Sequence, residues 1–188
     1  AVVNPSTGVV TGVSLGAATI SYTLGTGCFV TTTVNVQQYE YTTSFPVGWS
    51  WFSVNVNTGN MSVSAMMSAC NTPGDYIKDQ LTSANYYSGF GWWGTLETLD
   101  PSRMYKVRVA NTCGINTIGI PVDPSATPIN LTAGWNWIGY VPLAPITINS
   151  ALSTLTPAHL DYIKNQTLSA LYYSGYGWYG TLSELRPE

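Results

Sequence analysis

The sequence predicts a β-rich fold, in which an all-β N-terminal segment is followed by two tandem α+β modules. The first 36 residues alternate Val, Ile and Tyr with Thr, Ser and Gly, and a period of two is typical of strands. Further along, one aromatic block occurs twice, as "DYIKDQLTSANYYSGFGWWGTL" at 75–96 and as "DYIKNQTLSALYYSGYGWYGTL" at 161–182. Recurrence at an offset of 86 residues indicates a duplicated module. We therefore expect three parts, at residues 1–38, 39–122 and 123–188.

The N-terminal part reads as strand, glycine turn, strand, turn, strand. The stretches that carry this pattern are "TGVVTGVSLGAATISYT" and "CFVTTTVNV". They resemble the last strands of a bacterial Ig-like domain of group 2. A complete sandwich of that kind has about seven strands. The resemblance therefore implies that residues 1–38 form the C-terminal part of a partial Ig-like β-sandwich.

Each copy of the repeat begins with a predicted strand and a short helix. The strand is "GWSWF" at 48–52 and "GWNWI" at 134–138, with large apolar residues alternating along the first copy at Trp49, Trp51 or Phe52, Val54 and Val56. The helix is "SVSAMMSAC", which Ser62 or Ser64 would cap. In the second copy Asn149 and Ser150 precede "ALSTL" and would take the same role.

The rest of each copy is predicted to be antiparallel strands. "DYIK" is a strand with one wet face, and the aromatic residues around "SGFG" and "SGYG" indicate a hairpin. A last strand follows at 104–109, and the second copy stops at "LRPE" before its counterpart. Either the chain is a fragment of a longer protein, or neighbouring chains supply the missing strands.

The repeat also resembles a known module. The stretches "PVDPSATPINLTAGWNWIGY", "DYIKNQ" and "YYSGYGWYGTLSELRP" are similar to a tandem module of very large surface and secreted proteins of the Bacteroidetes type. In those proteins the module often lies beside Ig-like domains. The resemblance implies an extracellular, cell-surface location, and it brings no catalytic residues with it.

Composition and charge exclude several classes of function. Charged residues make up 8% of the chain, against about a quarter in an ordinary soluble domain. The net charge is −3 and the six cationic residues are scattered, so nucleic-acid binding is not expected. No apolar run reaches the roughly 18 residues of a membrane span, so we expect no membrane insertion. The first residues lack a signal-peptide pattern, so any signal is expected to be removed or to lie upstream.

No constellation for catalysis is visible. His159 is the single histidine, and no GxSxG, HExxH or phosphate-binding loop occurs. Asp75 and Asp161 hold equivalent positions in the two copies, and we expect them to cap turns. No calcium-loop pattern occurs either. The sequence therefore predicts no enzyme, no cofactor and no metal site.

The three cysteines leave two alternatives open. Cys70 and Cys113 lie in the first copy and could form an internal disulfide, whereas Cys28 would stay free. Cys70 could equally be a buried free thiol, because Leu155 takes its place in the second copy.

The adjacent aromatic residues supply the candidate binding site. Side chains alternate along a strand, so "GWWG" and "GWYG" must send one aromatic ring inward and one outward. An exposed ring beside glycine is a platform on which a sugar can stack. The candidate platforms are Trp93 and Tyr179, with Tyr87 and Tyr173 beside them. The polar side chains that could bind hydroxyl groups are Gln80, Asn85, Asn165 and Gln166.

Two functions are compatible with this pattern. The first is a non-catalytic structural or adhesive segment of an extracellular bacterial surface protein, which assembles into a fibre through strands shared between chains. The alternative is a pair of carbohydrate-binding modules. The expected partners are neighbouring domains or subunits in the first case and glycans in the second. The aromatic rings could also serve the core, or pack against a neighbouring module.

Overall fold

A computed structural model describes residues 1–187 and confirms the β-rich fold. Strands hold 44% of the residues and helices 6%, and the strand pairs are antiparallel. The chain forms two compact units, one at Ala1–Tyr39 and one that begins at Glu40. Both copies of the repeat lie in the second unit. Among residues 1–187, no helix has the length and apolar character needed to cross a membrane.

The first unit consists of two antiparallel strand pairs. Its strands are β1 (Val2–Val3), β2 (Val10–Thr11), β3 (Gly16–Thr23) and β4 (Phe29–Val36). β1 pairs with β2, and β3 pairs with β4 over eight residues. Cys28 lies just before β4 as an exposed free thiol.

The first copy of the repeat contains eight strands and one helix. These are β5 (Tyr39–Phe45), β6 (Gly48–Ser53), β7 (Val56–Asn57), α1 (Val63–Met66), β8 (Tyr76–Lys78), β9 (Ser83–Tyr87), β10 (Gly91–Gly94), β11 (Met104–Val109) and β12 (Cys113–Pro121). A five-stranded sheet has the order β10-β9-β8-β11-β6, and a three-stranded sheet has the order β5-β12-β7.

The second copy contains five strands and one helix after a 3-10 turn at Pro124–Ala126. These are β13 (Ile146–Thr147), α2 (Ile148–Ala151), β14 (Tyr162–Lys164), β15 (Ser169–Tyr173), β16 (Gly177–Gly180) and β17 (Glu184–Leu185). A three-stranded sheet has the order β14-β15-β16, and β13 pairs with β17.

Aromatic rings join the two sheets of the first copy. Phe52 of β6 lies 4.8 Å from Phe45 and 5.6 Å from Tyr105, measured between ring centroids. The hydroxyl of Tyr41 donates to the carbonyl of Ser53 at 2.7 Å. Burial raises the pKa of Tyr105 to about 12 and also raises that of Tyr41. Both hydroxyls therefore remain neutral donors throughout the physiological range.

The end of α1 is fixed to the rest of the first copy in two ways. Cys70 forms a disulfide with Cys113, the first residue of β12. The indole N–H of Trp92 donates to the carbonyls of Met67 at 3.3 Å and Cys70 at 3.1 Å. The helix begins as the sequence predicts, because Ser62 accepts a hydrogen bond from the N–H of Ala65.

The second copy repeats this core on a smaller scale. Its core cluster consists of the buried residues Ile148, Ala170, Trp178 and Leu182. They correspond to Val63, Ala84, Trp92 and Leu96, which are buried in the first copy. The expected helix start is wrong here, because the N-cap is Thr147 and not Asn149 or Ser150. Asn149 lies inside α2 and exchanges two hydrogen bonds with the backbone of Trp178, which ties the helix to the hairpin.

The last glycine of "GWWG" and of "GWYG" is required by close backbone contact. A Cβ atom at Gly94 would lie 2.2 Å from the carbonyl oxygen of Ser83. A Cβ atom at Gly180 would lie at the same distance from the carbonyl oxygen of Ser169. Any larger residue would push the two strands of the hairpin apart.

The two copies differ at the centre of their sheets. In the first copy β11 lies between β8 and β6, and it pairs with β6 over six residues. Among residues 1–187, the "GWNWI" segment has no such partner, and only Ile138 forms an isolated bridge, with Arg103. The strand predicted for this segment is therefore wrong, because its backbone lacks the continuous ladder that β11 gives to β6.

Asp75 and Asp161 show the effect of this difference. Each accepts a hydrogen bond from a backbone N–H three residues earlier, at Thr72 or Ala158, as expected for turn caps. Asp75 also accepts one from Ala110, just after β11, and is only 1% exposed. Asp161 is exposed. Asp75 thus ties the turn before β8 to the end of β11, whereas Asp161 bonds only its own turn.

We expect Asp75→Ala to destabilise the chain far more than Asp161→Ala. The first change removes a buried carboxylate that accepts two part-buried hydrogen bonds, from the N–H groups of Thr72 and Ala110, which costs about 2 kcal/mol or more. In a chain of this size that lowers the melting temperature by roughly 5 °C. Differential scanning calorimetry of both variants checks this, and equal shifts would contradict it.

Candidate functional site: the exposed aromatic face

The structure divides each adjacent aromatic pair as the alternation predicts. Trp92 is buried and Trp93 is 75% exposed, while Trp178 is buried and Tyr179 is 57% exposed. Tyr87 and Tyr173, the other two candidate platforms, are also exposed. All four lie on the outer faces of the hairpins.

In the first copy Trp93 belongs to a row of side chains that crosses all five strands. Residues directly opposite one another in a sheet share a face. The register aligns Trp93 with Asn85, Tyr76, Arg108 and Trp49 in that order. We call these five residues the aromatic row. Four strand spacings of about 4.8 Å give it a length of about 19 Å.

The rings at one end of the aromatic row contact each other. Trp49 and Tyr76 meet edge to face, with centroids 6.0 Å apart and an interplanar angle of 87°. The Arg108 guanidinium carbon lies 5.8 Å from the centroid of the Trp49 ring, which is cation-π geometry. Trp49 and Arg108 are exposed. The row thus combines stacking faces with hydrogen-bond donors.

Sequence reasoning missed Trp49, Tyr76 and Arg108 as members of this site. Trp49 alternates with Phe52 and Val54 in a pattern that left its direction open, and Phe52 and Val54 are the buried ones. The missing information is the register between strands that are far apart in the sequence. The alternation Tyr–Ile–Lys of β8, with Ile77 buried, is the one local sign that Tyr76 faces outward.

The second copy carries a related aromatic surface. Tyr179, Leu171 and Tyr162 are aligned across β16, β15 and β14. Trp135 meets Tyr162 edge to face at 5.9 Å, as Trp49 meets Tyr76. Each of these four residues lies 86 positions after its counterpart in the aromatic row.

His159 lies beside the aromatic surface of the second copy. Its ring lies 5.7 Å from that of Tyr173, which lies 6.4 Å from that of Tyr179. Its Nδ1 accepts a hydrogen bond from the N–H of Ser174 at 3.3 Å. Within residues 1–187 no three His, Cys, Asp or Glu side chains are grouped to hold a metal ion.

A shallow cavity of about 230 Å³ opens beside Trp93. Ser64 and Glu97 contribute polar atoms to it, and Trp93 forms part of its lining.

Lysine and tryptophan side chains interleave where the two copies meet. Lys106 Nζ lies 4.0 Å from the centroid of the Trp51 ring and 4.3 Å from that of Trp137. Lys78 lies over Trp137 at 5.2 Å and Lys164 over Trp51 at 5.1 Å, so each copy places a lysine on a tryptophan of the other. Burial first, and then the charges of Lys78 and Lys164, lower the pKa of Lys106.

Two glutamines join the copies in the same reciprocal way. Gln80 donates to the carbonyl of Trp135 at 2.7 Å and accepts from the N–H of Trp137 at 2.9 Å. Gln166 donates to the carbonyl of Trp49 and accepts from the N–H of Trp51, both at 2.9 Å. Gln80 and Gln166, which the sequence suggested as ligand-binding groups, thus hold the two copies together.

Asn165 and Asn85 have different surroundings. Asn165 accepts hydrogen bonds from the N–H groups of Thr167 and Leu168, so its side-chain oxygen is used to close a turn. The corresponding residue of the first copy is Asp79, which accepts from Leu81 and Thr82 in the same way. Of the four suggested polar groups, only Asn85 lies in the aromatic row.

Asp79 is a buried carboxylate paired with Arg103. The shortest distance between them is 2.7 Å, from Arg103 Nη1 to Asp79 Oδ2. Burial alone would raise the pKa of Asp79, but the hydrogen bonds from Thr82, Leu81 and Arg103 outweigh it and lower that pKa. The same contact raises the pKa of Arg103.

We expect Asp79→Asn to flatten the acid limb of the stability curve. The pKa of Asp79 is lower in the folded than in the unfolded chain, so its charged form contributes stability above the unfolded value, about 4. That contribution is lost as the pH falls through the lower folded value. Thermal unfolding between pH 2 and pH 7 measures the effect. An unchanged slope below pH 4 in the variant would contradict it.

We expect Gln80→Ala and Gln166→Ala each to lower the free energy of unfolding by about 1 kcal/mol, because each removes two hydrogen bonds to the other copy. The two glutamines bond different backbone segments, so the double variant should lose about 2 kcal/mol. Thr167→Ala, an exposed change in the same loop as Gln166, is the control and should have little effect. Urea unfolding gives all four values, and a Gln166→Ala variant as stable as the control would contradict this account.

Comparisons with known proteins add no constraint on this site. The chain matches no protein-family model, no curated protein and no solved structure. Its function must therefore be argued from the geometry and chemistry of the residues described above.

Proposed function

We propose that this chain is a non-catalytic adhesive segment of an extracellular bacterial surface protein, and that it binds glycans on its aromatic surfaces. The aromatic row is the single observation that carries the proposal. Five aligned side chains form a strip about 19 Å long, with three rings and two polar groups. A strip of that length suits a polysaccharide chain better than a single small molecule.

The chemistry of the row matches that of a sugar chain. The C–H face of a sugar ring is apolar and stacks on Trp93 or Trp49, whose rings are exposed. Its hydroxyl groups need donors and acceptors between the stacking points. Asn85 and Arg108 occupy those intermediate positions in the register. An apolar protein partner would leave Asn85, and the Arg108 donors that do not bond the carbonyl of Gly74, without hydrogen-bond partners.

Duplication favours an adhesive role over a tight small-molecule site. The second copy presents Tyr179, Tyr173, Tyr162 and Trp135 on its own surface. Two weak sites that engage one polysaccharide raise the apparent affinity well above that of either site alone.

Three further features support an extracellular location. The disulfide Cys70–Cys113 is typical of oxidising compartments. The low charge fraction, 8%, and the resemblance of the repeat to modules of large surface proteins point the same way.

We expect the double variant Trp93→Ala, Tyr179→Ala to lose at least tenfold in retention on an immobilised polysaccharide, since one stacked ring contributes roughly 1 kcal/mol or more. Both side chains are exposed, so the melting temperature should hardly change. Affinity electrophoresis in gels with a panel of neutral and acidic polysaccharides measures retention.

The matched control is Phe90→Ala, Tyr176→Ala. These two residues are the most exposed rings of the hairpin turns, 87% and 78%, and lie outside the rows. The control should keep wild-type retention. Equal losses of retention in both double variants would indicate nonspecific apolar adhesion. A large drop in the melting temperature of the Trp93→Ala, Tyr179→Ala variant would show that these two residues belong to the core.

A further inference from the structure

The outer edge of β14 carries unused strand-pairing groups. β14 is the last strand of its sheet, whereas its counterpart β8 lies between β9 and β11. Asp161 and Asn165 flank β14, and both bond to the β15 side. The carbonyl of Asp161 accepts from the N–H of Tyr172, and the N–H of Asn165 donates to the carbonyl of Leu168. Consecutive residues of an antiparallel strand alternate in direction. The N–H and C=O groups of Tyr162 and Lys164 therefore point to the outer edge.

The space beside this edge is one strand wide. In the first copy β11 separates β6 from β8, and the rings of Trp49 and Tyr76 meet across it at 6.0 Å and 87°. In the second copy Trp135 and Tyr162 meet at 5.9 Å and 89°. Equal ring geometry places the "GWNWI" backbone where β6 lies relative to β8. Among residues 1–187, no strand pairs with β14 on that side.

Asp161 and Ile163 border the slot, and both differ from their counterparts in the first copy. Asp75 uses both oxygens, Oδ2 for Thr72 and Oδ1 for Ala110 beyond β11. Asp161 uses Oδ2 for Ala158, and within residues 1–187 its Oδ1 receives no hydrogen bond. Ile77 of β8, which lies beside β11, is 0% exposed, whereas its counterpart Ile163 is only partly buried.

We propose that the slot beside β14 is a strand-acceptor site, which an extended polypeptide segment from outside residues 1–187 fills antiparallel to β14. The segment has the pattern of β11, with large apolar residues at alternate positions like Tyr105, Val107 and Val109, all buried. A backbone N–H after its last apolar residue bonds Asp161, as Ala110 bonds Asp75. This proposal goes beyond the glycan binding proposed above and concerns the strand sharing between chains that the sequence predicts.

The strand that fills the slot is not β11 from another molecule of this chain. β11 is paired on both sides, with β6 and with β8. Withdrawing it would break the five-stranded sheet of its own molecule and expose the 0%-exposed Tyr105 and Val107. The segment must therefore be one that is free to pair.

A peptide with the sequence of residues 103–111, RMYKVRVAN, is the probe for this site. A fluorescent form should bind the full chain saturably, and hydrogen exchange should show new protection of the Tyr162 and Lys164 amides. A peptide with Asp at the position of Val107 should not bind, because it would bury an unpaired carboxylate.

Lys164→Pro and Lys164→Ala form a matched pair of chain variants. Both lose the amine that lies over Trp51, but only proline removes the N–H that points into the slot. We expect the proline variant to bind the peptide at least tenfold more weakly than the alanine variant. Asp161→Ala provides a second variant, which should weaken binding several-fold through the lost Oδ1 acceptor.

Three results would overturn the proposal. The first is equal peptide binding by the proline and alanine variants, together with undiminished binding by Asp161→Ala. The second is new hydrogen-exchange protection at the edge of β10 or β16 in place of β14. The third is self-association of the chain that depends on the Lys164 N–H. The Trp93→Ala, Tyr179→Ala variant should bind the peptide like the wild type. Peptide binding without any glycan retention would therefore reject the proposed glycan function alone.

Discussion

The alternation of side chains along a strand governs the rest of this structure. Adjacent aromatic residues cannot both enter a core when the strand is extended, so Trp92 is buried and Trp93 is exposed. The buried ring fixes the helix end through its indole N–H, and the exposed ring opens the aromatic row. The same constraint sends Phe52 inward and Trp51 outward to meet lysines from both copies. The alternation of side chains along the strands thus determines which rings form the core, which form the surface and which form the junction between the copies.

The two copies act as an internal comparison of what β11 contributes. Both keep the hairpin, the short helix and four equivalent buried residues. Only the copy with β11 forms a five-stranded sheet, a regular "GWSWF" strand and a fully buried aspartate. The hairpin and helix are therefore the part that both copies share, and in the first copy the central strand joins them to β6 in one sheet. The reciprocal glutamine contacts are present in both copies, and Lys106 of β11 adds contacts with Trp51 and Trp137, so the central strand also contributes to the junction between the copies.

Local features of the fold could be predicted from the sequence, and long-range ones could not. The hairpins follow from alternation around "SGFG" and "SGYG", and the Ser62 cap follows from its position before an apolar run. The cap of α2 was missed because Asn149 resembles a cap residue, yet its amide bonds the Trp178 backbone across the core. The aromatic row needed the pairing of β8, β11 and β6, which no local pattern encodes. Gln80 and Gln166 look like surface groups for the same reason, since their partners lie in the other copy.

The disulfide of the first copy has a mechanical meaning for a chain that bears load. It closes a loop across a sequence separation of 43, and that loop contains β8, β9, β10 and β11. Tension applied along the backbone passes through the sulfur bridge, so these strands cannot be drawn out even when their hydrogen bonds break. At about 3.4 Å per residue, roughly 150 Å of contour length stays locked. In the second copy Leu155 replaces the cysteine, and its hairpin can lengthen fully under the same pull. In a stalk built from such modules, the first copy would lengthen only by the residues outside its disulfide loop, whereas the second copy would lengthen by all of its residues.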